Sequence, residues 1–483
     1  MGSIFDNSAF TIIAAEGEHA DFGLPGLEGI SRPRKHDLET FTFQTDDGEI
    51  LDIYIRRRSK TKWARRAWTF QEDTFSKRRL KFDRYGVRWE CGTTVCEEHR
   101  ESDDFLVGKG RGWSEKSHFF RPYPSIPDFA FLVWSYNKRE LTYGEDGLRA
   151  FAGILTALGH KFQGGFIHGL PVMFLDVALL WQMSGACKRR AASKLNAESK
   201  CPPSWSWAGW KGEIRYMLWG AKCDYLRRGN AIERTIPMVE WFSQESKDST
   251  PVLITHQNSW CLDRTKYLSG ANDLPPGWTK HEIDSADQEP RLISPQTHYY
   301  QHNSIPETQF WYPIPLPAPH QDPIIQSWGR LLSCRAQSAT LRVCWNEIDG
   351  NRAVIIRGLD GSPAGVAVIL RALDGSLAGI LHYPREDLAS RPLENRTLVA
   401  ISQGCLLDGY VIPSGYPELL LSECPYGTDL RHKKFPERSG TYEFYNVLLV
   451  EWEDGIAYRK ALGRVMKEVW EHQDIEMIDL ILG

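Results

Sequence analysis

A carboxylate, an amide and an indole stand at helical spacing in one short segment of the chain. Four residues occupy positions i, i+3, i+4 and i+7 and so share one helix face: Trp68, Gln71, Glu72 and Phe75. A glutamate held one helical turn from an indole can stabilise positive charge that develops during a reaction. The indole also excludes water and so strengthens the field of the carboxylate. Glu72 is therefore the candidate catalytic residue, with Trp68 beside it.

Glu72 also has a structural interpretation, in which it caps the helix or pairs with Arg65, Arg66 or Arg79. Basic residues far outnumber acidic ones around it: Arg56, Arg57, Arg58, Lys60, Lys62, Arg65, Arg66, Lys77, Arg78, Arg79, Lys81 and Arg84. Such a run is either a phosphate-binding face or, as is more usual, a solvated surface. Few aromatic residues alternate with the charges, so a nucleic-acid-binding module is not predicted.

A β-hairpin is predicted directly after this helix. Leu80 and Phe82 alternate with polar residues, Asp83–Gly86 supplies a turn, and Trp89 and Cys91 continue the alternation. A short helix that leads into a hairpin can hide two indoles only against that hairpin. The sequence therefore predicts that Trp68 and Trp89 are buried and in contact.

Two further groups of polar residues invite a chemical interpretation. Cys91, Cys96 and His99 could form part of a zinc site, but no fourth ligand stands at standard spacing, which favours a packed thiol and no metal. Asp176 lies in an apolar run and needs a partner, because an unpaired buried carboxylate is costly. A hydrogen bond or an ion pair is a more frequent explanation for it than catalysis.

The stretches around Glu72 resemble a known family. The motif Arg-Ala-Trp-Thr-Phe-Gln-Glu at residues 66–72, then Ser-x-Arg-x-Leu-x-Phe and Trp-Glu-Cys, is similar to the third signature block of the fungal heterokaryon incompatibility (HET) domain. The residues that carry this motif are Arg66, Trp68, Thr69, Gln71, Glu72, Arg78, Trp89 and Cys91. Residues 1–15 with 23–26, residues 203–208 and residues 445–452 also resemble segments of the family. The two opening segments of the family are not found, so we expect the N-terminal part of the HET domain to be lacking.

The resemblance implies a role in fungal allorecognition and programmed cell death, exercised through protein partners or self-association. HET domains resemble TIR domains, some of which cleave NAD with a glutamate in a Trp-x-x-x-Glu helix, the spacing of Trp68 and Glu72. The alternative is therefore a TIR-like NAD glycohydrolase that uses Glu72, with NAD as substrate and no resident cofactor. Because the strand expected opposite Glu72 is not found, we expect this chain not to turn over NAD.

Composition indicates a globular protein inside the cell. The 483 residues are 42% hydrophobic and 25% charged, and a net charge of −4 argues against a chain that coats nucleic acid or an anionic membrane. The ten cysteines have no repeating spacing and no signal peptide precedes them, which predicts reduced thiols in the cytoplasm. The longest apolar run, Leu170–Met183, is too short to span a bilayer.

The order of patterns along the chain predicts an α+β protein. We expect a partial HET domain with a TIR-like α/β layer at 1–145, a helical connector at 146–200, and a mainly antiparallel β region at 201–483. A loop-rich insertion is predicted at about 242–325, and strands are predicted after Trp328.

Five segments carry specific secondary-structure predictions. Residues 10–15 and 204–207 are predicted as strands, the first of them buried, and residues 147–159, 170–188 and 464–472 as helices.

Overall fold

The computed structural model describes most of the chain. The described residues are 2–17, 19–27, 29–31, 33, 39–44, 50–55, 61–83, 86–92, 94–98, 121–193, 200–215, 224–227, 233–283, 296–316, 328–344, 355–357, 363–383, 394–407 and 441–483. The chain divides into two compact units. Unit 1 comprises Met1–Arg121, Arg139–Thr142 and Arg149–Ile154, and unit 2 comprises Pro122–Lys138, Tyr143–Leu148 and Leu155–Gly483. The domain boundaries predicted near residues 145 and 200 stay predictions.

The described helices are short. They are α1 (Gly2–Asp6), α2 (Lys62–Arg65), α3 (Thr69–Phe75), α4 (Ile126–Asn137), α5 (Ala152–Gly159), α6 (Leu175–Ala178), α7 (Arg264–Leu268) and α8 (Lys467–Glu471). The described residues form both helices and strands, which is consistent with the α+β class, whereas the TIR-like layer stays a prediction. No helix in the described part of the chain combines the length and apolar character needed to cross a membrane.

The first strands lie in unit 1. They are β1 (Thr11–Ala14), β2 (Glu39–Gln44), β3 (Ile50–Ile55), β4 (Arg79–Asp83), β5 (Gly86–Glu90) and β6 (Val95–Glu97). The strands β1, β4, β5 and β6 form one sheet in that order, in which β1 and β4 are parallel and the other neighbours antiparallel. The strands β2 and β3 pair antiparallel with each other.

The strands of unit 2 begin with short pieces and end with long ones. They are β7 (Phe166–Ile167), β8 (Leu170–Pro171), β9 (Gln182–Arg189), β10 (Trp210–Arg215), β11 (Glu233–Pro237), β12 (Phe242–Gln244), β13 (Val252–Leu253), β14 (Trp278–Glu282), β15 (His298–His302), β16 (Leu331–Cys344), β17 (Ile355–Arg357), β18 (Pro363–Arg371), β19 (Leu377–Tyr383), β20 (Glu394–Leu407), β21 (Thr441–Glu453), β22 (Ile456–Met466) and β23 (Glu476–Leu482). The predicted strands after Trp328 are thus present. The described parts of 242–325 hold β12–β15 and α7.

Six of the long strands close into a barrel. Around the ring, β16 pairs with β20, β20 with β21, β21 with β22, β22 with β19, β19 with β18, and β18 with β16. Every one of these pairs is antiparallel, and a closed ring leaves its member strands without a free edge. The turn between β21 and β22 has positive φ at both Asp454 and Gly455, as a tight hairpin requires.

Alternate residues of the barrel strands form its core. The buried apolar side chains of this cluster include Leu341, Val343, Val368, Leu370, Leu398, Ala400, Val447 and Leu449. The period of two is the pattern that predicted strands here. Trp470 of α8 belongs to the same cluster, and its Nε1 donates to Gln337 Oε1 at 3.1 Å.

The prediction of a strand at residues 204–207 is wrong. Residues Trp207–Gly209 form a 3-10 helix, and the Ser206 hydroxyl accepts from the Ala208 N–H at 3.1 Å as its cap. Trp205 and Trp207 are fully buried, and their Nε1 atoms donate to the carbonyls of Arg330 and Gly169. The alternation of Ser and Trp therefore reflects a buried turn whose polar groups are satisfied by other segments.

Three helix predictions are also partly wrong. Residues 170–188 are buried as expected at their start, but they form β8, a 3-10 turn, α6 and then β9, which pairs with β10. An apolar run alone does not separate a buried helix from a buried strand. Residues 464–466 continue β22 rather than opening α8, and only the end of 147–159 is α-helical, as α5.

Candidate functional site

The Glu72 segment is held by two short helices in unit 1. The Thr61 hydroxyl caps α2 by accepting from the Ala64 N–H at 3.2 Å. Thr69 is 1% exposed, and its hydroxyl lies within hydrogen-bond distance of the carbonyls of Trp63 and Arg66. Thr69 thus ties the start of α3 to α2, and the predicted helix exists.

Gln71 has a structural role. Its side chain is buried, its Nε2 donates to the Ala150 carbonyl at 2.7 Å, and its Oε1 accepts from the Gly153 N–H at 3.1 Å. Both ends of the amide are satisfied by backbone of the same unit. The amide predicted beside Glu72 is therefore occupied in fixing this backbone.

Glu72 has Trp63 as its indole partner, rather than Trp68. Trp63 Nε1 donates to Glu72 Oε2 at 3.3 Å, and the Lys81 ammonium lies 5.6 Å from the centre of the same indole. Burial lowers the pKa of Lys81, and Arg88 lowers it further. Among the described residues, Glu72 forms no ion pair with an arginine, so the pairing with Arg65, Arg66 or Arg79 is not found.

A buried arginine organises the charged side of the sheet. Arg79 is 1% exposed, its Nη2 lies 2.7 Å from Glu90 Oε2, and its Nη1 contacts both the carboxylate and the carbonyl of Asp73. Glu90 also pairs with Arg88. A buried guanidinium is stable only with such paired carboxylates. This cluster fixes α3 on β4 and β5, and thereby fixes Glu72.

The exposed part of the motif is basic and aromatic. The side chains of Arg65 and Arg66 are exposed, and that of Trp68 is half-buried. Trp68 stands at the N-cap of α3, two positions after Arg66 in the sequence. We name Arg65, Arg66 and Trp68 the motif face. Tryptophan and arginine are the residues that most often carry binding energy at protein interfaces.

The prediction that Trp68 and Trp89 are buried is wrong. Both indoles are half-buried, and Trp89 packs on Phe10, with ring centres 6.3 Å apart. The alternation of the hairpin is present, but it places Trp89 on the side of the sheet away from Arg79 and Lys81. Arg78 is exposed and donates to the Ala9 carbonyl at 3.4 Å.

Cys91 and Cys96 belong to no group of possible metal ligands among the described residues. Cys91 is half-buried with its N–H bonded to the Thr94 carbonyl at 2.9 Å, and Cys96 is exposed on β6. His99 lies outside the described residues. No group of three or more histidine, cysteine and acidic residues in the described ranges could hold a metal ion.

Asp176 has the hydrogen-bond partner that was expected. The side chain is fully buried in unit 2, and Trp241 Nε1 donates to its Oδ1 at 2.7 Å. Burial raises the pKa of Asp176 to about 7, and the hydrogen bonds from Trp241, Asn258 and the Met238 backbone offset only part of that effect. No arginine or lysine pairs with it among the described residues.

Sequence reasoning missed Trp63 and the pair formed by Arg79 and Glu90. Trp63 lies outside the helical spacing that defined the motif, because α2 and α3 are separated by a turn. The pair could have been found from the hairpin. A turn that pairs Asp83 with Gly86 sets Arg79 opposite Glu90 by simple counting.

The family of this segment follows from a comparison with protein-family models. Residues 1–72 match the model described as Heterokaryon incompatibility protein (HET). Residues 1–72 are thus similar to the HET family. The match ends on Glu72 and spans the elements from α1 to the first residues of α3. The resemblance of this part of the chain to HET is therefore confirmed, whereas that of residues 76–91, 203–208 and 445–452 stays a prediction. No match was found among curated proteins or solved structures.

Proposed function

We propose that this chain is a HET-type protein of fungal allorecognition and programmed cell death signalling, which acts in the cytoplasm by protein interaction. The observation that carries the proposal is the HET match over residues 1–72, which includes the motif that ends at Glu72. The parallel pairing of β1 and β4, with α3 between them in sequence, supports a TIR-like α/β layer in unit 1.

The motif face is the proposed contact surface. Its three side chains, those of Arg65, Arg66 and Trp68, belong to four consecutive residues on a fixed backbone, because Thr69 and Gln71 hold the start of α3. A rigid aromatic anchor loses little conformational entropy on binding. Such a patch suits a partner that presents a carboxylate-rimmed apolar pocket.

The environment of Glu72 also supports an interaction role. Its carboxylate accepts a hydrogen bond from Trp63, while the neighbouring glutamine and arginine side chains are occupied in structural contacts. A catalytic carboxylate has to face the atom at which charge develops. Glu72 instead supports α2 through Trp63.

The test is expression of the full chain in a filamentous fungus from an inducible promoter, with cell viability measured by a vital dye. We expect the wild-type chain to reduce viability and Trp68→Ala with Arg66→Ala to restore most of it. Trp452→Ala is the matched control, because Trp452 is 46% exposed on β21, far from the motif in sequence. Full viability with the wild-type chain, or equal killing by the Trp68 variant, would contradict the proposal.

A biochemical experiment separates this function from NAD cleavage. The purified chain is incubated with NAD, and nicotinamide release is followed for the wild type and for Glu72→Ala. We expect no release from either protein, because the polar side chains of Gln71 and Arg79 near Glu72 are already engaged in structural contacts. Release by the wild type that the substitution abolishes would replace the interaction proposal with an enzymatic one.

A further inference from the structure

The β1–β4–β5–β6 sheet of unit 1 carries charged side chains on one side and apolar side chains on the other. Strand alternation and register place Arg79, Lys81, Arg88 and Glu90 on one side, where Asp73 and Trp63 contact them. Ile12, Leu80, Phe82 and Trp89 lie on the other side. The charged side is thus the one that the helices contact. The apolar side is partly open, with Ile12 55% exposed and Phe10 47% exposed.

The strand β1 also has an open backbone edge. It is the last strand of its sheet, and the N–H groups of Thr11 and Ala15 donate to the β4 segment. Because backbone groups of alternate residues point to opposite edges, those of Ile12 and Ala14 point outward. No strand in the described part of the chain pairs with this outer edge. The strand predicted at residues 10–15 is thus present as β1, but the prediction that it is buried holds only for Ile13 and Ala15.

We propose that β1 pairs antiparallel with β1 of a second copy of this chain, about a two-fold axis at Ile12. The two sheets then continue as one, with hydrogen bonds between the outward backbone groups of Ile12 in both copies. This inference rests on the proposed interaction function. It uses a surface distinct from the motif face, so the two proposals can fail separately.

The side chains of β1 are complementary to themselves in this register. The axis sets Ile12 opposite Ile12 and sets Phe10 opposite Ala14 of the second copy, so each large exposed ring meets a methyl group. An isologous contact requires this kind of self-complementarity. Moving the axis to Ile13 would instead set Phe10 opposite Glu16, where an apolar ring would desolvate a carboxylate.

Charge at the two ends of the strand agrees with the same register. Arg78 is exposed and held at the Ala9 carbonyl, and Ser8 precedes that residue. The proposed pairing sets Ser8 opposite Glu16 of the second copy. Arg78 of each copy then lies within side-chain reach of Glu16 of the other copy, once at each end of the paired strands.

The experiment measures the oligomeric state of the full chain by sedimentation velocity over a wide range of concentration. We expect a dimer for the wild type and a dissociation constant at least about tenfold higher for Ile12→Pro and Ile12→Lys. The Ile12 N–H takes no part in the pairing with β4, and Ile12→Lys keeps the backbone intact. Leu262→Lys is the matched control, because Leu262 is 72% exposed in unit 2.

A swap of the facing side chains tests the register. Phe10→Ala and Ala14→Phe should each weaken the dimer, and the double variant should recover it because a ring again meets a methyl group. A wild type that stays monomeric, an Ile12→Lys variant that dimerises normally, or a double variant no better than the single ones would overturn the proposal. Trp68→Ala should dimerise like the wild type, which distinguishes this result from failure of the proposed function.

Discussion

At the scale of single residues, Asp176 shows how a buried carboxyl group can lack a cationic partner. Its contacts are neutral, from the indole of Trp241, the side chain of Asn258 and the backbone of Met238. Hydrogen bonds from neutral donors stabilise a carboxylate less than an ion pair does. The desolvation of the charged form therefore dominates, and it raises the pKa to about 7.

This raised pKa predicts a pH dependence of stability. The folded protein keeps the Asp176 proton up to about pH 7, whereas the unfolded chain loses it near 3.8. Between these values the folded state binds more protons, so the free energy of unfolding falls as pH rises. The fall from this one group is roughly 4 kcal/mol. Denaturant titrations at several pH values should show that Asp176→Asn removes this part of the dependence.

A control of opposite sign is available in the same unit. Hydrogen bonds from Ser376 lower the pKa of the exposed Asp374, so its small contribution is present above the unfolded pKa and is lost as pH falls. Asp374→Asn should leave the decline between pH 4 and pH 7 intact. A decline that Asp176→Asn fails to reduce would show that Asp176 is not its source.

At the scale of elements, the contact of α3 with the β4–β5 hairpin depends on Arg79. Its buried guanidinium lies between Asp73 of the helix and Glu90 of the hairpin. Arg79→Ala removes the cation and leaves two partly buried carboxylates close together, which costs about 3–5 kcal/mol. The free energy of unfolding, measured by urea titration, should fall by this amount.

The control for Arg79 is a surface pair of the same unit. Lys77 and Asp6 form an exposed ion pair at 3.0 Å. Lys77→Ala should change the free energy of unfolding by no more than about 0.5 kcal/mol. Equal effects of the two substitutions would mean that burial of the Arg79 cluster has no energetic consequence.

Elements defined by local signals were predictable from the sequence. The β4–β5 and β21–β22 hairpins each have a glycine-containing turn between alternating residues, and both are present. Residues 170–188 and 204–207 were not predicted correctly. Their conformation depends on distant partners, such as the pairing of β9 with β10 and the bond from Ser204 N to the Gly483 carbonyl at 2.8 Å.

The candidate site was predictable only in outline. The helix that carries Glu72 follows from spacing, and Thr69 and Gln71 lie on it as expected. The partner of Glu72 did not follow, because the turn between α2 and α3 brings Trp63 to the carboxylate across nine positions of sequence. Helical spacing describes contacts within one helix and not between two.

At the scale of the whole molecule, closure of the barrel is the feature that no local pattern indicates. Each strand is visible as an alternating segment, but the ring closes through β16, which pairs with both β18 and β20. Sequence patterns give the faces of strands, whereas the order of strands depends on which pairings bury the most apolar surface. The result is a core in which alternate residues of six strands meet.

Trp470 of α8 is the largest aromatic side chain of that core, so its removal should destabilise the barrel. It is 0% exposed, packs on Tyr445 with ring centres 5.9 Å apart, and donates to Gln337. Trp470→Ala opens a cavity between β16 and β21 and leaves the Gln337 amide oxygen without its donor. Both effects destabilise the barrel, by about 3–5 kcal/mol in all.

Trp452→Ala is the control, because Trp452 is 46% exposed on β21, and this substitution should lower the free energy of unfolding by less than about 1 kcal/mol. Urea unfolding of both variants gives their midpoints of unfolding. Equal midpoints would show that burial of Trp470 does not stabilise the barrel core.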